Sequence, residues 1–196
     1  PRALFDFLSS CNDAFSSLGA KVPVLYAIDN EGGEVFRTVG LTTRIPSASF
    51  VASKFSPAEA KAFYESSGRQ LSLMGLHLNL APIAEAETPL NVDFLGTRSY
   101  SQSVDTVVSF SGAAIEGFRS GGILSAMKHF PGSGKSDPHE GISVLDAPKK
   151  EFDSVYVEPF RQLISVAPDA VLVSHCIVPS IEPDVPFCLS KKGVTD

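Results

Sequence analysis

The chain has 196 residues, 43% of them hydrophobic and fourteen of them Phe, with a formal net charge of −6. That is enough apolar material for one domain with a real core, which excludes a disordered chain. The acidic balance excludes nucleic acid or an anionic membrane as a partner held by bulk electrostatics, and no apolar run approaches the length of a membrane span. In chain order, the first element expected is a helix over residues 1–18, with Leu4, Phe7, Leu8, Phe15 and Leu18 on one side. A first strand follows at Val22–Ile28. Ser56-Pro57-Ala58-Glu59 has the form of a capping box with Pro at the first helical position, and it predicts a helix running to about Gly75. Leu76–Ile83 reads as a second strand. Val104, Val107, Val108, Ser111, Ala114, Ile115 and Phe118 then make one stripe at helical spacing. A third strand is expected at Ile123–Met127. Phe152, Val155, Phe160, Leu163 and Ile164 mark a third long helix, which Pro159 is expected to kink or split. A fourth strand at Val171–Ile177 and a short helix capped by Ser190 complete the series.

None of the four strands shows polar alternation, as expected of strands covered on both faces. Strand–helix alternation implies an α/β fold with a parallel sheet, either doubly wound or a barrel. The strand starts at 22, 76, 122 and 170 lie 54, 46 and 48 residues apart, so the loops after the strands must be long. Loops at that edge are where such folds keep their sites. No domain linker or internal repeat interrupts residues 1–196.

The residues that follow each strand carry the chemistry. After the first come Asp29-Asn30-Glu31-Gly32-Gly33, then Arg37: a carboxylate at a strand end, a sharp backbone turn and a guanidinium. From this segment alone, a capped turn with surface charges reads as well. After the third strand comes Lys128-His129-Phe130-Pro131-Gly132-Ser133-Gly134-Lys135-Ser136-Asp137-Pro138-His139. Gly134-Lys135-Ser136 does not make a phosphate-binding loop, because the position five before Gly134 is His129 and Asp137-Pro138 is a poor helix start. Asp137-x-His139 offers something else. A carboxylate near an imidazole can fix its tautomer and raise its basicity, which makes a general acid/base, although this spacing also occurs in ordinary surface turns. The four histidines show no i, i+4 pair, and Cys11, Cys176 and Cys188 form neither a disulfide framework nor a zinc knuckle, so neither a metal nor a cofactor is expected. His77 is expected to be a hydrogen-bonded core residue. Arg98 follows the second strand by a loop, and His175 stands near the end of the fourth.

In order, Ala27-Ile28-Asp29-Asn30-Glu31-Gly32-Gly33 with Arg37, Leu80-Ala81-Pro82, Gly96-Thr97-Arg98-Ser99-Tyr100, Lys128-His129-Phe130-Pro131-Gly132, Asp137-Pro138-His139 and Val173-Ser174-His175 resemble the catalytic barrel of glycoside hydrolase family three. The likeness is nearest to its bacterial β-N-acetylglucosaminidases of the NagZ type, and it spans about Val22 to Ser190. It implies a (β/α)8 TIM-type barrel of which residues 1–196 supply roughly half, about strands 2 to 5. It further implies a retaining β-N-acetylhexosaminidase acting on amino sugars of the peptidoglycan or chitin type. His139 would be the acid/base and Asp137 its partner. Asp29, Arg37, Arg98, Lys128 and His129 would bind the terminal N-acetylglucosamine, with His175 close enough to reach the same pocket. The nucleophilic Asp of the family would lie beyond residue 196, and a first strand would precede residue 1. On that reading the rest of the barrel comes from the same or a second chain, and residues 1–196 alone are inactive. Two departures stand out: the family usually has His at Ser133 and Ser at Pro138. A phosphorylase of the same family and a non-catalytic sugar-binding relative are the competing expectations.

Overall fold

The computed structural model describes residues 2–137 and 140–195. Four parallel strands form one sheet in the order of the chain: β1 (Ala27–Ile28), β2 (Leu78–Asn79), β3 (Leu124–Phe130) and β4 (Ala170–Val173). Ala27 pairs with Leu78, Leu78 with Leu124, and Ala126 with Ala170. Sequential parallel strands joined through helices are the arrangement of half a (β/α)8 barrel. A separate antiparallel hairpin, β5 (Ile177–Val178) with β6 (Glu182–Pro186), follows β4.

The helices run α1 (Arg2–Ser17), α2 (Ala48–Lys54), α3 (Pro57–Leu73), α4 (Val92–Leu95), α5 (Val104–Ser120), α6 (Lys149–Glu151), α7 (Glu158–Leu163) and α8 (Lys191–Val194). The capping box is present in full: Ser56 Oγ accepts from Glu59 N, and the Glu59 carboxylate accepts from Ser56 N at 2.8 Å. α3 and α5 pack almost backbone to backbone. A Cβ on Gly117 would stand 2.6 Å from Lys61 O, and one on Gly121 would stand 2.5 Å from Glu65 O. Tyr64 and Phe118 fill the same interface edge to face, and Val51, Leu71, Val107 and Ala114 complete that core.

Three details differ from the sequence expectations, each for a physical reason. First, β1, β2 and β4 are shorter than the expected Val22–Ile28, Leu76–Ile83 and Val171–Ile177, and β3 runs past Met127 to Phe130. Val22 and Leu25 are exposed, because among the described residues no strand pairs with the outer edge of β1. Second, the apolar face of α1 is covered only in part. Leu8 is buried and takes a hydrogen bond from Tyr26 Oη, whereas Phe7, Phe15 and Leu18 face outward. Third, His77 is exposed and not in the core. It sits just before β2, stacks on Tyr26, and its Nδ1 accepts from Tyr26 N at 3.1 Å.

Pro159 acts as expected, through a wider turn. Residues Phe152–Val157 form a π-helical stretch directly ahead of α7. A proline has no N–H to give the carbonyl four residues back and its ring crowds that carbonyl, so a widened turn relieves both problems. Ser190 caps α8, accepting from Gly193 N at 3.0 Å. No described helix is long and apolar enough to cross a membrane.

Candidate active site

The C-terminal ends of β1, β2 and β3 bring together the charged residues that the sequence scatters across a hundred positions. The loop after β1 is fixed first. Asn79 completes the ladder with its side chain: Oδ1 accepts from Asn30 N and Nδ2 donates to Asn30 O, both at 3.0 Å. Asn30 Oδ1 in turn accepts from Arg37 N at 2.8 Å, which ties the far end of the loop to the strand end. The Gly32-Gly33 turn needs glycine at both positions. Both have positive φ, and a Cβ at Gly33 would stand 2.7 Å from Ser47. This tight turn sets Asp29 and Glu31 side by side above the sheet.

Lys128, near the end of β3, lies between those two carboxylates. Its Nζ is 2.5 Å from Asp29 Oδ1 and 2.6 Å from Glu31 Oε1. Arg98 closes the other side of Glu31 with two parallel bonds, Nε to Oε2 at 2.9 Å and Nη2 to Oε1 at 2.8 Å. The Arg98 guanidinium also lies over the Phe94 ring, 5.0 Å from its centroid. The side chains of Lys128 and Glu31 are 1% and 7% exposed, whereas that of Asp29 is 39% exposed. Asp29 is therefore the member of the cluster most open to a ligand. Burial would raise the Glu31 carboxyl, but Arg98 and Lys128 outweigh it and hold that group below its ordinary value. Burial acts against the Arg98 guanidinium too, yet Glu31 keeps its pKa raised.

A third carboxylate, that of Glu85, lies against His129. The pairing of β3 with β4 shifts register between Lys128 and Phe130, so His129 is the extra residue of a bulge. Its N–H, released from the ladder, donates to Glu85 Oε1 at 3.1 Å, and its ring Nδ1 lies 2.7 Å from the same oxygen. Phe94 packs against the His129 ring as well as beneath Arg98, and so joins the two groups.

The remaining expected residues lie on the loops that follow the strands. Asp137 is exposed in the loop after β3. That loop is pinned at Gly134, where a Cβ would meet Val144 O at 2.2 Å. His139, its proposed partner, lies outside the described residues. Arg37 is exposed, with its backbone N–H held by Asn30. His175 is exposed just after β4. The geometry thus joins Asp29, Arg98, Lys128 and His129, and it adds Glu31 and Glu85, which sequence reasoning did not assign. A signal existed for Glu85, since a lone carboxylate inside Ala81-Pro82-Ile83-Ala84-Glu85-Ala86 must find partners if that run is buried. Among the described residues no group of three or more His, Cys, Asp or Glu is placed to hold a metal ion. Paired carboxylates, a guanidinium, an ammonium and an imidazole beside the Phe94 ring set oriented hydrogen-bond donors and acceptors close together.

Residues 6–196 match the Glycosyl hydrolase family 3 N terminal domain. The chain is 31% identical over 179 residues to Beta-hexosaminidase LpqI of Mycobacterium tuberculosis, covering 90% of this chain and 46% of that protein. It is 32% identical over 164 residues to a Beta-hexosaminidase of Haemophilus influenzae, covering 80% of this chain and 46% of that protein. A glycoside hydrolase family 3 β-N-acetylglucosaminidase from Paenibacillus superposes with a TM-score of 0.88 at 26% identity, covering 97% of this chain and 37% of that one. The chain therefore spans about half the length of the curated relatives it matches. With the family's domain matched along almost all of its residues and the parallel half-barrel in place, the chain belongs to glycosyl hydrolase family 3.

Proposed function

We propose that this chain supplies the sugar-binding half of a retaining β-N-acetylhexosaminidase that removes terminal β-linked N-acetylglucosamine. The observation that carries the reading is the buried Glu31–Arg98–Lys128 cluster that presents Asp29 at the strand ends, in a chain whose relatives are named β-hexosaminidases. Asp29 accepts from sugar hydroxyls, with Lys128 fixing its position and Arg98 adding donors, and His129 offers its ring from the next position along β3. Arg37 and His175 stand at the rim. Asp137 holds His139, which protonates the departing oxygen and later takes a proton from water. An Asp supplied by the rest of the barrel, from the same or a second chain, attacks the anomeric carbon. The bond to the leaving group breaks as a covalent glycosyl-enzyme forms, and water then releases the sugar.

Binding of N-acetylglucosamine to the full-length protein tests the site without requiring turnover. Asp29→Ala is expected to weaken it by about 1.5–3 kcal/mol, the worth of a hydrogen bond to a charged group. Calorimetry that gives the same affinity for both proteins would reduce Asp29 to a residue of the turn.

A further inference from the structure

Glu85 is the most deeply buried carboxylate at these strand ends, with its side chain 2% exposed, and nothing in the reaction described above employs it. Among the described residues, all hydrogen bonding of its carboxylate runs through one oxygen. Oε1 accepts from His129 N at 3.1 Å and from Ser133 Oγ at 3.0 Å, and it lies 2.7 Å from His129 Nδ1. Oε2 is buried without a partner among the described residues. Leaving a buried carboxylate oxygen bare is costly, and a glutamate placed only to stabilise the core would spread its partners over both oxygens. Here every contact falls on the segment His129–Ser133, and two of the three fall on the bulged residue itself. The bulge frees the His129 N–H, and Glu85 takes that N–H and the ring nitrogen together. This fixes both the backbone and the χ angles of one side chain.

We propose that Glu85 is a positioning residue that sets the tautomer of His129. A carboxylate oxygen already accepting from a backbone N–H accepts again from the ring, so Nδ1 carries the hydrogen and Nε2 is left bare. His129 then meets a sugar hydroxyl as an acceptor, complementing the Arg98 and Lys128 donors beside it. Phe94 packs against the ring at a tilt of 53°, so its direction is set as well as its proton. The inference rests on the reading of His129 as a sugar ligand, but its test does not require sugar.

The test is the ¹⁵N spectrum of the full-length protein labelled at histidine, recorded where the rings are neutral, with the His129 signals assigned by their loss in His129→Gln. The expected pattern is a protonated Nδ1 and a bare Nε2. Glu85→Leu should move the ring to the opposite tautomer or to a mixture, and should weaken N-acetylglucosamine binding about tenfold, the scale of one lost hydrogen bond. Glu85→Gln, whose amide oxygen can still accept from Nδ1, should keep the native pattern. A hydrogen on Nε2 in the unaltered protein would overturn the proposal, and that measurement stands even if Glu85→Leu does not fold. An unchanged ring in a folded Glu85→Leu would overturn it too. A native tautomer with no sugar binding in any variant would support the proposal while overturning the role of His129 as a sugar ligand.

Discussion

His139→Ala in the full-length protein is expected to lower turnover of a glycoside with a poor leaving group by about 10²–10⁴, the usual worth of a positioned general acid. The loss should depend on the substrate. With an activated aryl leaving group the departing oxygen needs less protonation, so bond cleavage should suffer less. Steady-state rates on a matched pair of N-acetylglucosaminides, one alkyl and one nitrophenyl, check this directly. Equal losses on both would remove His139 from the acid role. Asp137→Asn should reproduce part of the effect, because it weakens the base that the imidazole must become in the second step.

Glu31→Ala is expected to destabilise the protein by about 3–5 kcal/mol, because it leaves the buried ammonium of Lys128 and the guanidinium of Arg98 without their shared counter-ion. Asp29 still faces Lys128, which places the effect toward the lower end of that range. The same carboxylate predicts the direction of the acid limb. Its folded pKa is held below its ordinary value of 4.5, so its contribution is fully present above that value. As the pH falls below 4.5 and through the folded pKa, the contribution is lost. Urea denaturation between pH 6 and pH 3 should therefore show a shallower loss of stability in Glu31→Gln than in the unaltered protein. Parallel curves would mean that other carboxylates govern acid unfolding.

The fold was legible where local chemistry speaks. The capping box at Ser56, the apolar stripe of α5 and the effect of Pro159 all depend on neighbours within a few residues, and the structure has each of them. The end of β1 was legible because the charged residues and the glycine turn after it break an apolar run, whereas β3 runs on through Lys128 and His129 to Phe130. Strand length was not, since a strand extends only as far as its partners do, and Val22–Leu25 has none among the described residues. Burial of α1 was missed for a related reason: periodicity shows which face is apolar, but not what covers it. At the site, Asp29 was legible from its position after a strand, whereas Arg98, Lys128 and His129 were assigned through the resemblance to the family. Glu31 and Glu85 were not, because their roles come from pairing over 67 and 44 positions of sequence. The β3 bulge that turns His129 toward Glu85 has no signature in residue pattern at all.

The most direct measurement is proton NMR of the first product released when the full-length protein cleaves an aryl β-N-acetylglucosaminide in phosphate buffer. A double displacement through an enzyme-bound sugar, completed by water, predicts free N-acetylglucosamine that appears first as the β anomer and only later mutarotates. Appearance of the α anomer first would contradict the covalent intermediate, and accumulation of the sugar 1-phosphate would make the protein a phosphorylase.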